Sequence, residues 1–171
     1  MGRHVKIIKP ITITPSCIQI GNSVRIFHHG RIQGVSQYLG KKYHPDIIIE
    51  DYVSIQQNVH LTCAEEIRIG RNTAIAANVS ITDINHPYID INLPPDSQDL
   101  EISKVQIGSN CKIYNNAVIL PGTKLGKHNI VGANSVVSGE FPDYCLIAGV
   151  PAVIIKIFDK EKGIWKKQIE Q

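Results

Sequence analysis

Aliphatic side chains return at a fixed six-residue step through most of this chain: Ile107, Ile113, Ile119, Leu125, Val131 and Val137. The same register occurs earlier at Ile20, Ile26 and Ile32 and at Ile49, Ile55 and Leu61, then, after a two-residue slip, at Ile69, Ile75 and Ile81. This period is neither that of a helix nor that of an ordinary strand. About four extended residues and a two-residue turn make one flat face, and three faces close a triangular coil of roughly 18 residues. Such coils stack at the ordinary strand spacing of about 4.8 Å. Ile49 to Ile67 is expected to form one coil. The leading aliphatic points into the prism, and the fifth residue turns inward near a corner, where Cys111, Ala117, Thr123, Asn129 and Ser135 suit the limited room. The fourth position is Asn58, Asn72, Asn78, Asn110, Asn116 or Asn134, and asparagine tolerates the positive φ that a corner demands. Strands of a β-sandwich would not hold asparagine at one phase of a fixed step.

A chain of 171 residues is long enough for one such domain. Its net charge of +3, without a basic run, gives no nucleic-acid arm, although the slight excess of lysine suits a phosphate-bearing ligand. Cys17, Cys63, Cys111 and Cys145 are scattered without CxxC spacing, which points to a reducing compartment. The opening MGRHVKIIKPITIT carries no apolar leader core, and no stretch is long enough to span a membrane. A cytoplasmic location is the expectation.

The period breaks twice, at about 33–47 and again at 82–106, where a loop carries three prolines and five acidic residues. Rigid scaffolds often assemble their sites on such loops. His86 stands near the root of the second, held extended by Pro87. Position alone fits a general base near neutral pH and a surface histidine in a proline turn equally well. Beyond residue 157 the hexads stop, and KIFDKEKGIWKKQIEQ reads as a short strand leading into an amphipathic helix. The expected organisation is therefore a β-helical domain over 1–157 and a capping helix over 158–171, with Phe158, Ile164, Trp165 and Ile169 as its apolar residues.

The hexads, together with ITDINHPY, VILPGTKLG, IVGANSVV and IAGVPAVIIK, resemble the hexapeptide-repeat acyltransferases, specifically the galactoside, maltose and polysaccharide O-acetyltransferase branch. The match runs from about Ile48 to Phe158. It implies an all-β fold, a left-handed parallel β-helix with a protruding loop and, here, the short C-terminal cap. It also implies acetyl-CoA as donor, a saccharide hydroxyl as acceptor, and a homotrimer with active sites at the subunit seams. His86 would be the catalytic base and Asp83 would orient it or bind the acceptor. Asn115 would supply an oxyanion donor, and Asn115, Ala133, Ser138, Gly139 and Lys156 would hold coenzyme A. Gln56 and Tyr88 would contact the acceptor.

The chain departs from that pattern at Cys111–Tyr114, which lacks the family's tryptophan, and at Val153, where a basic residue is usual. Two other readings share the fold. A γ-type carbonic anhydrase would hold zinc between subunits, but none of the seven histidines has HxxxxH spacing and no metal is expected. A non-catalytic trimeric scaffold would need the repeat for shape alone.

Overall fold

A computed structural model describes residues 1–168. The repeat closes into a triangular prism of parallel strands. Face I runs from Lys6–Ile7 through Ser54–Ile55 and Lys112–Ile113 to Cys145–Gly149. Face II runs from Thr12–Ile13 through Arg31–Gly34, His60–Cys63 and Ser80–Thr82 to Val136–Val137, and face III from Ile18–Ile20 to Glu140–Phe141. The leading aliphatics Ile26, Ile32, Ile55, Leu61, Ile75 and Ile113 are fully buried, as are the inward fifth residues Val53, Thr73, Ala117, Asn129 and Ser135. One continuous core of aliphatic ladders fills the prism.

The corner asparagines all sit at φ between 57° and 61°. Ser23, His29, Tyr52, His128 and Tyr144 adopt the same conformation at the same hexad phase. On the edge between faces I and II the asparagines also bond to one another. Asn58 donates to Asn78 at 3.0 Å, Asn78 to Asn116 at 3.0 Å and Asn116 to Asn134 at 2.9 Å. At the edge between faces III and I, a Cβ on Gly70 or Gly108 would lie 2.6 Å from the backbone of the next coil, so the close stacking of coils requires glycine there.

Register corrects the expected first coil. Ile69 pairs with Ile49, while Ile67 pairs with Ile47 and Val105, so the coil closes at Ile69 with two extra residues. These fall at the edge between faces II and III. Both excursions leave from that same edge: the chain departs after Gly34 and resumes at Asp46, then departs after Thr82 and resumes at Val105. Gly34, Cys63 and the Thr82 strand end are neighbours in register. Three successive coils thus break at one edge, one above another.

The expected C-terminal helix is absent from the described residues. Ala152–Asp159 is instead a strand antiparallel to Cys145–Gly149, and Ile164–Lys167 pairs antiparallel to it in turn, extending face I. The run Val153, Ile154, Ile155, Lys156, Ile157 is β-branched at four of five positions, which favours a pleated surface. Its exposure alternates with period two, not 3.6. Gly163, at φ 64°, turns the hairpin, and Phe158 packs on Trp165 with ring centroids 5.4 Å apart. Ala152 and Ile154 pack on the core at the prism's end. Ile169 lies outside the described residues.

Candidate active site

The first excursion folds into a small antiparallel hairpin, Gln37–Tyr38 with Lys41–Lys42, turned by Leu39 and Gly40 at positive φ. The second is pinched at its base by Ile84–Asn85 pairing with Glu101–Ile102. The two pack together over a satellite core of Tyr43, Ala64 and Leu100, supported by Val35, Tyr38, Ile84 and Ile102. This packing fixes His86. Its ring meets Tyr38 edge-on with centroids 5.5 Å apart, and the Tyr38 hydroxyl donates to the backbone carbonyl of Asp96 at 2.6 Å. Asp96 in turn places a carboxylate oxygen 3.5 Å from His86 Nδ1. At that length the contact is electrostatic rather than a formed hydrogen bond. It favours a proton on Nδ1, which leaves Nε2 as the acceptor.

His86 lies on the wall of a pocket of about 370 Å³, whose floor is the outer surface of face II: His60, Thr62, Ser80 and Thr82. His60 Nε2 lies 2.9 Å from the Thr62 hydroxyl. Burial, and secondarily the Arg31 guanidinium, hold the His60 imidazole below the usual histidine range. Tyr38, His60 and Asp96 have no signal in the hexad pattern, because two belong to excursions and the third occupies an outward position. A larger groove, about 550 Å³, runs along face III. Its carboxylates are already engaged: Asp51 accepts from the Asn22 amide and Arg71, and Glu50 from Arg68 and the Arg71 amide.

Asp83 is not beside the imidazole. It is completely buried at the irregular edge, where its carboxylate accepts the backbone amides of Ala64 at 2.8 Å, Glu65 at 2.8 Å and Glu66 at 3.0 Å. The Cys63 thiol, 3.3 Å away, is its fourth donor, and burial together with that carboxylate pushes the thiol far above its usual range. Asp83 therefore binds the two-residue insertion of one coil to the loop root of the next. It is a positioning residue, and the expectation that it orients His86 or touches the acceptor is corrected accordingly.

The remaining expected residues divide between two edges. Ser138 and Gly139 are exposed on the edge where the His86 loop leaves, above Leu120 and Thr82. Asn115 and Ala133 are exposed and stacked on the edge between faces I and II, joined by the Asn134 amide donating to the Asn115 carbonyl at 3.0 Å. Gln56 lies half-buried beside that edge and outside the His86 pocket. Tyr88, two residues past His86, is 76% exposed and lines no part of the pocket. Lys156 projects from the C-terminal hairpin directly opposite Lys167.

The sequence profile described as "Bacterial transferase hexapeptide (six repeats)" matches residues 104–139. WbbJ of Escherichia coli, named for O-acetyl transfer in lipopolysaccharide biosynthesis, is 44% identical over 128 residues, covering 71% of this chain and 65% of its own. By its repeat and by this likeness, the chain is similar to the hexapeptide-repeat acyltransferases. The galactoside O-acetyltransferase of Escherichia coli is 32% identical over 64% of this chain and 55% of its own. The chain thus spans somewhat less than two thirds of the length of these relatives. Among solved structures, a hexapeptide-repeat acetyltransferase of Vibrio cholerae, complexed with acetyl coenzyme A, superposes with a TM-score of 0.71 at 23% identity, covering 82% of this chain and 71% of that one. The left-handed parallel β-helix expected from the sequence is the fold of this hexapeptide-repeat protein. Among the described residues no helix is long and apolar enough to cross a membrane.

Proposed function

We propose that this hexapeptide-repeat protein is an acetyl-CoA-dependent O-acetyltransferase acting on a saccharide hydroxyl, with His86 as general base. The observation that carries the reading is an imidazole held on the wall of a pocket by Tyr38 and Asp96, Nδ1 toward a carboxylate and Nε2 without a partner among the described residues. A sugar hydroxyl is a weak nucleophile. Nε2 takes its proton as the oxygen attacks the thioester carbonyl; the new C–O bond forms, the C–S bond breaks, and the imidazolium returns the proton to the departing thiolate. Asp96 stabilises the imidazolium between those two transfers. No acyl-enzyme is required.

A fixed N–H must meet the oxyanion of the tetrahedral state, and the Asn115 amide is the candidate. One face, roughly four extended residues or about 13 Å, separates the Asn115 edge from the His86 edge of the same prism. A homotrimer resolves this separation, because the Asn115 edge of one prism then lies against the His86 edge of its neighbour. In the same arrangement Ala133, Ser138 and Gly139 border the pantetheine path, and Gln56 of a neighbouring prism reaches the acceptor. Tyr88, exposed beside His86 in the chain, is free to stack on a sugar. Lys156 and Lys167, like charges directly across a strand pair, suit a phosphate group between them. The unpaired cysteines agree with a cytoplasmic location.

The test measures free thiol released from acetyl-CoA across a panel of saccharides. Wild type should turn over, and His86→Ala should lose a hundredfold or more of kcat while still binding acetyl-CoA by calorimetry. A wild-type protein that binds no acetyl-CoA, or a His86→Ala variant with full turnover, refutes the reading.

A further inference from the structure

The outer surface of face II changes character along the prism. Along one register line it carries Thr12, Arg31, His60 and Ser80, and then Val118 and Val136. A second polar line, Gln33, Thr62 and Thr82, runs where the strands lengthen before the His86 loop. The polar lines enter the His86 pocket through His60, Thr62, Ser80 and Thr82, and Arg31 lies on the next strand beyond His60.

Arg31 is held in place but its charge is not balanced. Its Nε donates to Gln33 Oε1 at 2.8 Å, and Nη2 donates to the same oxygen. A guanidinium has five N–H donors, so three stay free, both of those on Nη1 and one on Nη2. Arg68 and Arg71, by contrast, are each paired with a carboxylate. Among the described residues Arg31 has no such partner, although it is pinned by a neutral amide that fixes its direction without consuming its charge. The carboxylate nearest the reacting end of the pocket, Asp96, faces His86 instead.

We propose that the polar strip from Ser80 through His60 to Arg31 is an extended acceptor subsite that recognises an anionic group, carboxylate or phosphate, on the saccharide. The proposal rests on the acetyltransferase reading of His86 and names the substrate class of that site. Two strand spacings separate Arg31 from Ser80, so the anion lies about 10 Å from the hydroxyl presented to His86. The charge distribution fixes the orientation, with hydroxyl toward Asp96 and His86, and anion toward the open fork of Arg31. His60, neutral at physiological pH, offers a ring nitrogen midway without competing for the anion.

The test compares three acceptors of equal length: a neutral oligosaccharide, one bearing a uronate, and a nucleoside-diphosphate sugar. Binding is measured by calorimetry in the presence of CoA and turnover by thiol release, with wild type, Arg31→Gln and Arg31→Lys. At least one anionic acceptor should bind wild type about tenfold or more tightly than the neutral one. Arg31→Gln should remove that advantage through KM rather than kcat, and Arg31→Lys should restore part of it. The advantage should also shrink as salt is raised. Preference for the uronate identifies a carboxylate partner, and preference for the nucleotide sugar a phosphate. Equal binding of neutral and anionic acceptors, no binding of any, or an anionic preference untouched in Arg31→Gln overturns the subsite. Arg31-dependent binding without acetyl transfer leaves the subsite standing and instead defeats the acetyltransferase reading.

Discussion

Asp83 offers the sharpest test of how the irregular edge supports the site. The substitution Asp83→Ala removes an acceptor shared by three backbone amides and one thiol, all within 3.3 Å. A hydrogen bond to a charged group contributes about 1.5–3 kcal/mol, which sets a ceiling of about 4.5–9 kcal/mol for the three amides. The whole ceiling is not reached. Glu65 and Glu66 are only partly buried, so water can replace much of their loss, whereas Ala64 is 1% exposed and its amide stays stranded. A destabilisation of about 3–5 kcal/mol remains. For a chain of this size each kcal/mol shifts Tm by about 2–4 °C, so the variant should melt about 6–20 °C lower, read by circular dichroism. Asp83→Asn keeps the volume but turns an amide NH₂ toward backbone donors, so it should recover only part of the loss. Turnover should fall along with stability, because the insertion and the loop root are tied through this one carboxylate, while acetyl-CoA affinity should change little. A Tm within about 2 °C of wild type would refute this account. If kcat collapsed with Tm unchanged, Asp83 would have to act in the chemistry itself.

Asn116→Ala should cost about 2–3 kcal/mol, from two ladder hydrogen bonds and the left-handed backbone, whereas Asn116→Gly should cost less because glycine accepts that φ; urea denaturation separates the two. Lys156→Ala should raise KM for acetyl-CoA several-fold and leave acceptor KM unchanged in initial-rate kinetics; an unchanged KM removes Lys156 from the phosphate contact. His60 should titrate below an ordinary histidine by NMR, and Arg31→Gln should move it upward. Because folding depresses its affinity for protons, the neutral His60 contributes stability above the unfolded pKa, and this is lost as pH falls through about 6.5 and below. Cys63 should resist thiol reagents at pH 8 in the native protein, since burial and Asp83 keep it protonated; rapid labelling would contradict the geometry.

The prism was legible because each coil repeats one physical problem. An inward aliphatic, a small residue near the corner and a positive-φ position must recur with the step, and Ile113, Ala117 and Asn116 each answer one of those demands. The strands after Ala152 were not legible in the same way. Lys156, Phe158, Ile164 and Trp165 suit an amphipathic helix as well as a hairpin, and only the open edge of face I, which needs backbone partners, decides between them. Asp83 illustrates a different failure. An acidic residue three positions before a histidine invites a catalytic reading from sequence spacing, yet its role depends on amides 17 to 19 residues earlier that the stacking of coils brings beneath it.

One signal in the sequence does locate the site more closely than His86 alone. Each departure from the hexad begins two residues after a leading aliphatic: after Ile32 at Gly34, after Leu61 at Cys63, and after Ile81 at Asp83. Those three aliphatics occupy the same third of successive coils, so the breaks must stack on one edge whatever the loops contain. A lone insertion would leave an isolated loop with little to pack against. Three stacked insertions give one another a surface, which is how Tyr38 from the first, Ala64 from the second and Leu100 from the third come to share a satellite core. Because that core is built from all three, a loop residue as exposed as Ile91 can be tolerated while His86, closer to the root, is held against Tyr38 and Asp96. Shortening the first excursion to a plain two-residue corner should therefore lower turnover even though it removes no residue that touches the acetyl group.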